Sequence, residues 1–186
     1  MKSFHALWFG LAFLLCAGCA HFASSVSPRA KADPETAILY GRFTLRHTFS
    51  AGLKIALWLQ NADTQKSVYI CFDETQPFRA IEVKPGSYRI LGFLDTNRGH
   101  QIRGHHVFPA TGLGGRVSLA FNAAPGSQTY LGDFTGHATL NDIIENWGVD
   151  SITNNFTDTT AEFHEKYPNQ ATVPAASIFA PSTTRL

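Results

Sequence analysis

Cysteine is scarce. The 186-residue chain has three, Cys16, Cys19 and Cys71, so no disulfide framework is expected. Charge is equally thin: 15 Lys and Arg against 14 Asp and Glu leave a formal net charge of +1. So even a balance supplies no long-range field for nucleic acid, and no nucleic-acid partner is expected. No apolar run reaches the roughly 20 residues that a bilayer-crossing helix requires. The chain also lacks a G-x-G-x-x-G turn, a P-loop, a G-x-S-x-G elbow and an S-x-x-K pair. The nearest approach, Gly112-Leu113-Gly114-Gly115, has none of the flanking pattern. No catalytic residue and no cofactor is expected.

What is present starts at the N-terminus. One basic residue, Lys2, precedes a mostly apolar run of about a dozen residues from position 6 to 17, the length of a signal-peptide core. It ends in Leu15-Cys16-Ala17-Gly18-Cys19. Small residues at Ala17 and Gly18 suit a signal-peptidase pocket, and the residue that follows is a cysteine. This stretch resembles the lipobox of bacterial lipoproteins, with Cys16 standing where that family usually has Leu. The resemblance implies removal of 1–18 as a signal peptide and acylation of Cys19, which becomes the first mature residue. It also implies, from Ala20 rather than Asp after the cysteine, the periplasmic face of the outer membrane. Membrane lipid is then a partner through the acyl chains, at about 0.8 kcal/mol per buried methylene.

About 168 residues remain (186 less 18), enough for one domain with a substantial core. Residues 19–36 are rich in Ala, Ser and Pro without hydrophobic period and read as a flexible tether. From 37 to 168 the pattern is of short strands. Leu53, Ile55, Leu57 and Leu59 alternate with Lys54, Ala56, Trp58 and Gln60, and the turn Asn61–Lys66 leads into 67–72 as a hairpin. Hairpins are likewise expected around Lys84-Pro85-Gly86-Ser87, where Gly86 needs positive φ, and around Ala124-Pro125-Gly126-Ser127. Residues 138–153 stay open between helix and strand. Phe156, Thr160, Phe163 and Tyr167 form one helical stripe, with Asn155 as cap and Pro168 as stop. Residues 169–186 read as an irregular tail. The expected fold is mainly β: an antiparallel β-sandwich, Ig-like or prealbumin-like, with one C-terminal helix.

The segment Ile81-Glu82-Val83-Lys84-Pro85-Gly86-Ser87-Tyr88-Arg89-Ile90 resembles a hairpin of prealbumin-like and Cna-B-like sandwich domains. With the lipobox, Tyr130-Leu131-Gly132-Asp133-Phe134 and the closing helix 160–168, the chain is similar to small periplasmic lipoproteins of the DUF2846 type. That resemblance implies a fold and an address but no chemistry.

Candidate chemistry is sparse. Of the eight histidines, His100, His105, His106 and His137 invite a metal reading. Adjacent His105 and His106 would point to opposite faces of a strand, and His164-Glu165 lacks a second His, so no metal is expected. Cys71 sits in an apolar strand-like run and reads as a shielded thiol. Trp58, on the polar side of its strand, reads as packed beneath a loop or the terminal helix, ahead of partner contact. The longest break in the strand pattern, 95–115, has five glycines and carries Arg98, His100, Arg103, His105 and His106, the candidate binding loop. Its glycines permit close backbone approach, and its arginines offer planar donors to carboxylate or phosphate. The expected function is therefore a non-enzymatic binding or envelope-assembly module with an unidentified envelope protein partner. The alternative is an envelope-acting hydrolase or metal-dependent enzyme using the loop histidines.

Overall fold

The computed structural model describes residues 21–22, 24–47, 54–95, 120–141 and 144–179. In chain order its strands are β1 (His21–Phe22), β2 (Ala37–His47), β3 (Lys54–Asn61), β4 (Ser67–Asp73), β5 (Phe78–Val83), β6 (Gly86–Asp95), β7 (Ala120–Ala123), β8 (Ser127–Asn141) and β9 (Ile144–Thr153). Helix α1 (Phe156–Lys166), a short 3-10 turn (Pro168–Gln170) and β10 (Ala175–Ser177) close the chain.

The strands form two five-stranded sheets, one ordered β1-β4-β3-β6-β7, the other β10-β8-β2-β5 with β9 also on β8. They meet through aromatic side chains: Phe43 of β2 lies 5.9 Å from Phe72 and 5.4 Å from Phe93, and Phe134 meets Phe93 edge-on at 5.1 Å. Strand alternation sends Leu39 and Phe43 into this layer and Tyr40 to the opposite face. There Tyr40 stacks on Phe163 of α1 at 4.7 Å, and Phe78 and Tyr130 approach Phe163 and Phe156. The second sheet is therefore buried on both sides, which is why Ile38, Leu39 and Tyr40 are consecutively buried.

The mainly β body with a C-terminal helix is as expected, but an antiparallel sandwich is not what forms. β2 and β8 run parallel at the centre of the second sheet, from Ala37 opposite Ser127 to His47 opposite Ala138. The pairing is non-local: the chain traverses the other sheet between these strands, and no turn signal specifies their direction. The hairpin around Asn61–Lys66 forms as expected. The two Pro-Gly turns do not make hairpins; each carries the chain from one sheet to the other, β5 to β6 and β7 to β8. Of the segment left open between helix and strand, residues 144–153 are strand, paired with β8. In the expected irregular tail, β10 pairs parallel with β8, and Ile178 and Phe179 are buried.

The expected tether also lies on the body. Val26 is buried, its N–H donates to the Ala80 carbonyl at 3.0 Å, and the Ser24 carbonyl accepts from Glu82 N–H at 3.3 Å. Further on, the carbonyls of Arg29 and Ala30 accept from the amides of Asn169 and Gln170, and that of Thr36 from Gly126 N–H. Upstream, His21 and Phe22 pair with Val68 and Tyr69 of β4. One short segment thus covers adjoining edges of both sheets, whose unpaired backbone groups would otherwise be open. Such backbone pairing needs no hydrophobic period, so composition alone read as linker.

Gly86, the first residue of β6, takes positive φ (148°), a more extended angle than the roughly +80° of a type II turn but one that still favours glycine. A Cβ there would lie 3.0 Å from Asp63 Oδ2 and 3.1 Å from Asn61 Nδ2. Gly86→Val is expected to destabilise the domain by about 2 kcal/mol through backbone strain and crowding. Urea unfolding checks this; an unshifted midpoint would contradict the turn geometry.

Candidate functional site

Cys19 and the loop residues Arg98, His100, Arg103, His105 and His106 lie outside the described residues. Of the remaining histidines, His137 Nδ1 lies 2.5 Å from Asp150 Oδ1 across the β8–β9 pair, and His164 Nε2 is 3.1 Å from Gln128 Oε1. Among the described residues no three His, Cys, Asp or Glu side chains gather as metal ligands.

The most developed polar cluster sits beneath the start of α1. Asp133, 8% exposed, receives the Thr159 hydroxyl, 3.0 and 3.1 Å from its two oxygens, and the Asn155 amide at 3.1 Å. The Tyr130 hydroxyl lies 3.0 Å from Asp133 Oδ1 and 3.1 Å from the Thr153 carbonyl, and accepts the Asn155 N–H at 3.0 Å. Asn155 is the N-cap residue, but its side chain serves Asp133 rather than its own helix. Burial drives the Tyr130 hydroxyl pKa upward, and it pushes that of Tyr40 up to about 12, against a lowering by the 2.6 Å bond to Thr160. Both tyrosines stay neutral at physiological pH. Arg42 of β2 pairs with Glu162 at the rim. Every group in this cluster is engaged in holding α1 to the second sheet, and the hydroxyls of Thr159 and Tyr130 beside Asp133 are buried beneath the helix. The sequence carried one signal for it: an acid, Asp133, inside the apolar run Tyr130–Phe134, where burial demands hydrogen-bond partners.

A hollow of about 210 Å³ opens at one end of the sandwich, between Phe43, Leu45, Ile55, Phe72 and Pro77, with Asp73 and Glu74 at its edge. Asp73 accepts from the Thr75 hydroxyl and from the backbone of Thr75 and Gln76. These bonds, the Thr75 hydroxyl first, hold its pKa below the usual carboxylate range. It is an anion that closes its own turn, not a proton donor.

The outer face of the first sheet differs from both. Trp58 of β3 stacks on Tyr69 of β4, ring centroids 6.3 Å apart, and its indole N–H donates to Ser67 Oγ at 3.0 Å. Alongside run Cys71, Ala56 and Leu94, in register across β4, β3 and β6. Leu91, the extra residue of a bulge opposite Trp58 and Leu59, is 43% exposed. Trp58 therefore does not pack under the terminal helix, which lies on the other sheet. Cys71 is half-buried, and desolvation raises its pKa, only partly offset by Arg79 and Lys54, so it rests as a neutral thiol.

No known family's sequence profile matches this chain, and no curated protein matches it. Among solved structures, a leucine-rich repeat protein from Bacteroides thetaiotaomicron is similar over 58% of this chain and 12% of its own length. The identity is 12% and the TM-score 0.32, too low to carry an argument.

Proposed function

We propose that this chain is a lipoprotein anchored through acylated Cys19 at the periplasmic face of the outer membrane. Its body acts there as a non-enzymatic binding or envelope-assembly module. The observation that carries the reading is the junction at Leu15–Cys19: a short apolar run, two small residues, then cysteine. The finer reading of the body as a relative of the prealbumin-like or Cna-B-like sandwiches, altered by the parallel β2–β8 pair, rests on two sheets packed face to face. Support for a binding role rather than chemistry comes from the ionisable side chains described above. Asp133, Asp73 and the Arg42–Glu162 pair are committed to turns and packing.

The test is metabolic labelling with a palmitate analogue. The wild type is expected to incorporate label, and Cys19→Ala to incorporate none and to accumulate with its leader attached. Label retained by the variant would refute the anchor assignment.

A further inference from the structure

A cleft of about 160 Å³ opens between the second sheet, the 3-10 turn after α1 and the segment 31–36. Ile38 and Glu82, opposite each other on β2 and β5, line it from the sheet, Gln170 from the turn, and Lys31, Asp33 and Thr36 from the segment. We propose that this cleft binds a small zwitterion of the α-amino acid class. The ligand's ammonium group meets Glu82 and Gln170 Oε1, and its carboxylate meets Lys31. The proposal rests on the reading of the body as a binding module and is independent of the acylation of Cys19.

Three observations point to such a ligand. The first is an unmet acceptor. Gln170 is 1% exposed, and all but one of its polar atoms are engaged. Its N–H donates to the Tyr167 carbonyl, its own carbonyl accepts from Gln128 Nε2 and Val173 N–H, and its Nε2 donates to the Ala30 carbonyl at 3.2 Å. That last bond fixes which way the amide points, and it leaves Oε1 buried with no hydrogen-bond partner among the described residues. A buried carbonyl oxygen calls for an N–H or O–H donor. The second is charge. Lys31 and Glu82 bring opposite charges to one cleft, yet among the described residues neither side chain pairs with the other or with any further group. A ligand carrying both signs satisfies both. No three His, Cys, Asp or Glu side chains gather among the described residues, and Lys31 repels a metal ion, so the acids suit an organic ammonium better than a divalent cation. The third is size and readiness. At roughly 30 Å³ per water molecule the cleft has room for about six non-hydrogen atoms, and buried Ile38 offers an apolar contact for a short side chain. The segment forming one wall is pinned at both ends, at Ala30 by Gln170 and at Thr36 by Gly126 N–H at 2.7 Å, so the wall stands before a ligand arrives.

The experiment titrates the full chain, labelled with nitrogen-15 and held in mild detergent, with alanine, ethylamine, propionate and calcium chloride in turn. Ethylamine is alanine without its carboxylate, and propionate is alanine without its amine. The readout is the side-chain amide signal of Gln170 together with the backbone signals of Thr36 and Glu82. Alanine should shift all three saturably, with a dissociation constant in the millimolar range. Ethylamine should bind about tenfold more weakly, and propionate should give no saturable shift. Glu82→Gln should weaken alanine binding at least about tenfold, and Lys31→Gln should reduce alanine to the level of ethylamine. Both residues are exposed, so signals away from the cleft should stay in place and show that each variant is folded. Gln170 signals unmoved by alanine would overturn the proposal and leave the cleft to water. Equal binding of alanine by wild type and Glu82→Gln would overturn it too, as would a calcium response in place of an alanine response. None of these outcomes bears on the anchor at Cys19, which palmitate labelling tests separately.

Discussion

Gly132→Val is expected to cost about 4 kcal/mol of stability and to leave most of the protein unfolded or insoluble at 37 °C. Gly132 has φ +119°, a region that L side chains rarely adopt. A Cβ there would lie 2.8 Å from Ile152 Cγ2 and 3.3 Å from the ring of Phe179. These neighbours are buried and have little room to yield, so strain and overpacking add, each at about 1–3 kcal/mol. The glycine marks a bulge in the parallel pair: Tyr40 faces Tyr130, but Arg42 faces Asp133, leaving Leu131 and Gly132 opposite Gly41. A Cβ on Gly41 would meet the Gly132 carbonyl oxygen at 2.7 Å, so the two glycines permit one close approach. Chemical denaturation with circular dichroism checks this. A variant within about 1 kcal/mol of the wild type would mean that the bulge is misplaced.

Asp133→Ala is expected to destabilise by about 3 kcal/mol, since it removes the acceptor shared by Thr159, Asn155 and Tyr130 and strands their donors under α1. Asp133→Asn keeps one carbonyl oxygen and should lose roughly half as much. The loss should show first in the near-ultraviolet signal of the Tyr40, Tyr130 and Phe163 cluster. Equal stability of Asp133→Ala and wild type would mean that the helix is held by its aromatic stripe alone.

Much of this fold is legible in the chain. The alternation in β3, the Asn61–Lys66 hairpin and the stripe ending at Pro168 are local signals, and the structure places elements there. What was not legible is what depends on distant partners. The Pro-Gly turns read as hairpins because the residues dictate a reversal but not which sheet receives the next strand. Residues 138–153 stay open in the sequence because Leu140, Ile143, Ile144 and Trp147 match a 3.6-residue spacing while 149–153 look extended; the register of β9 is set by β8. The direction of β2 against β8 has no local signature at all.

The candidate site divides in the same way. The lipobox-like stretch Leu15–Cys19 and the cluster of arginines and histidines between 98 and 106 are linear features, and both lie outside the described residues. The outer face of the first sheet cannot be read linearly. Trp58, Tyr69, Leu91 and Leu94 come from three strands, and only the registers of β4, β3 and β6 bring them together. The covering of both sheet edges by residues 21–22 and 24–26 was hidden because backbone bonding to an open edge places little demand on side chains.

The most direct measurement is the intact mass of the mature protein extracted from membranes. The account predicts a species comprising residues 19–186 with diacylglycerol on Cys19 and a fatty amide on its amino group. An unmodified mass beginning at Cys19 or beyond, or a chain still carrying residues 1–18, would contradict it.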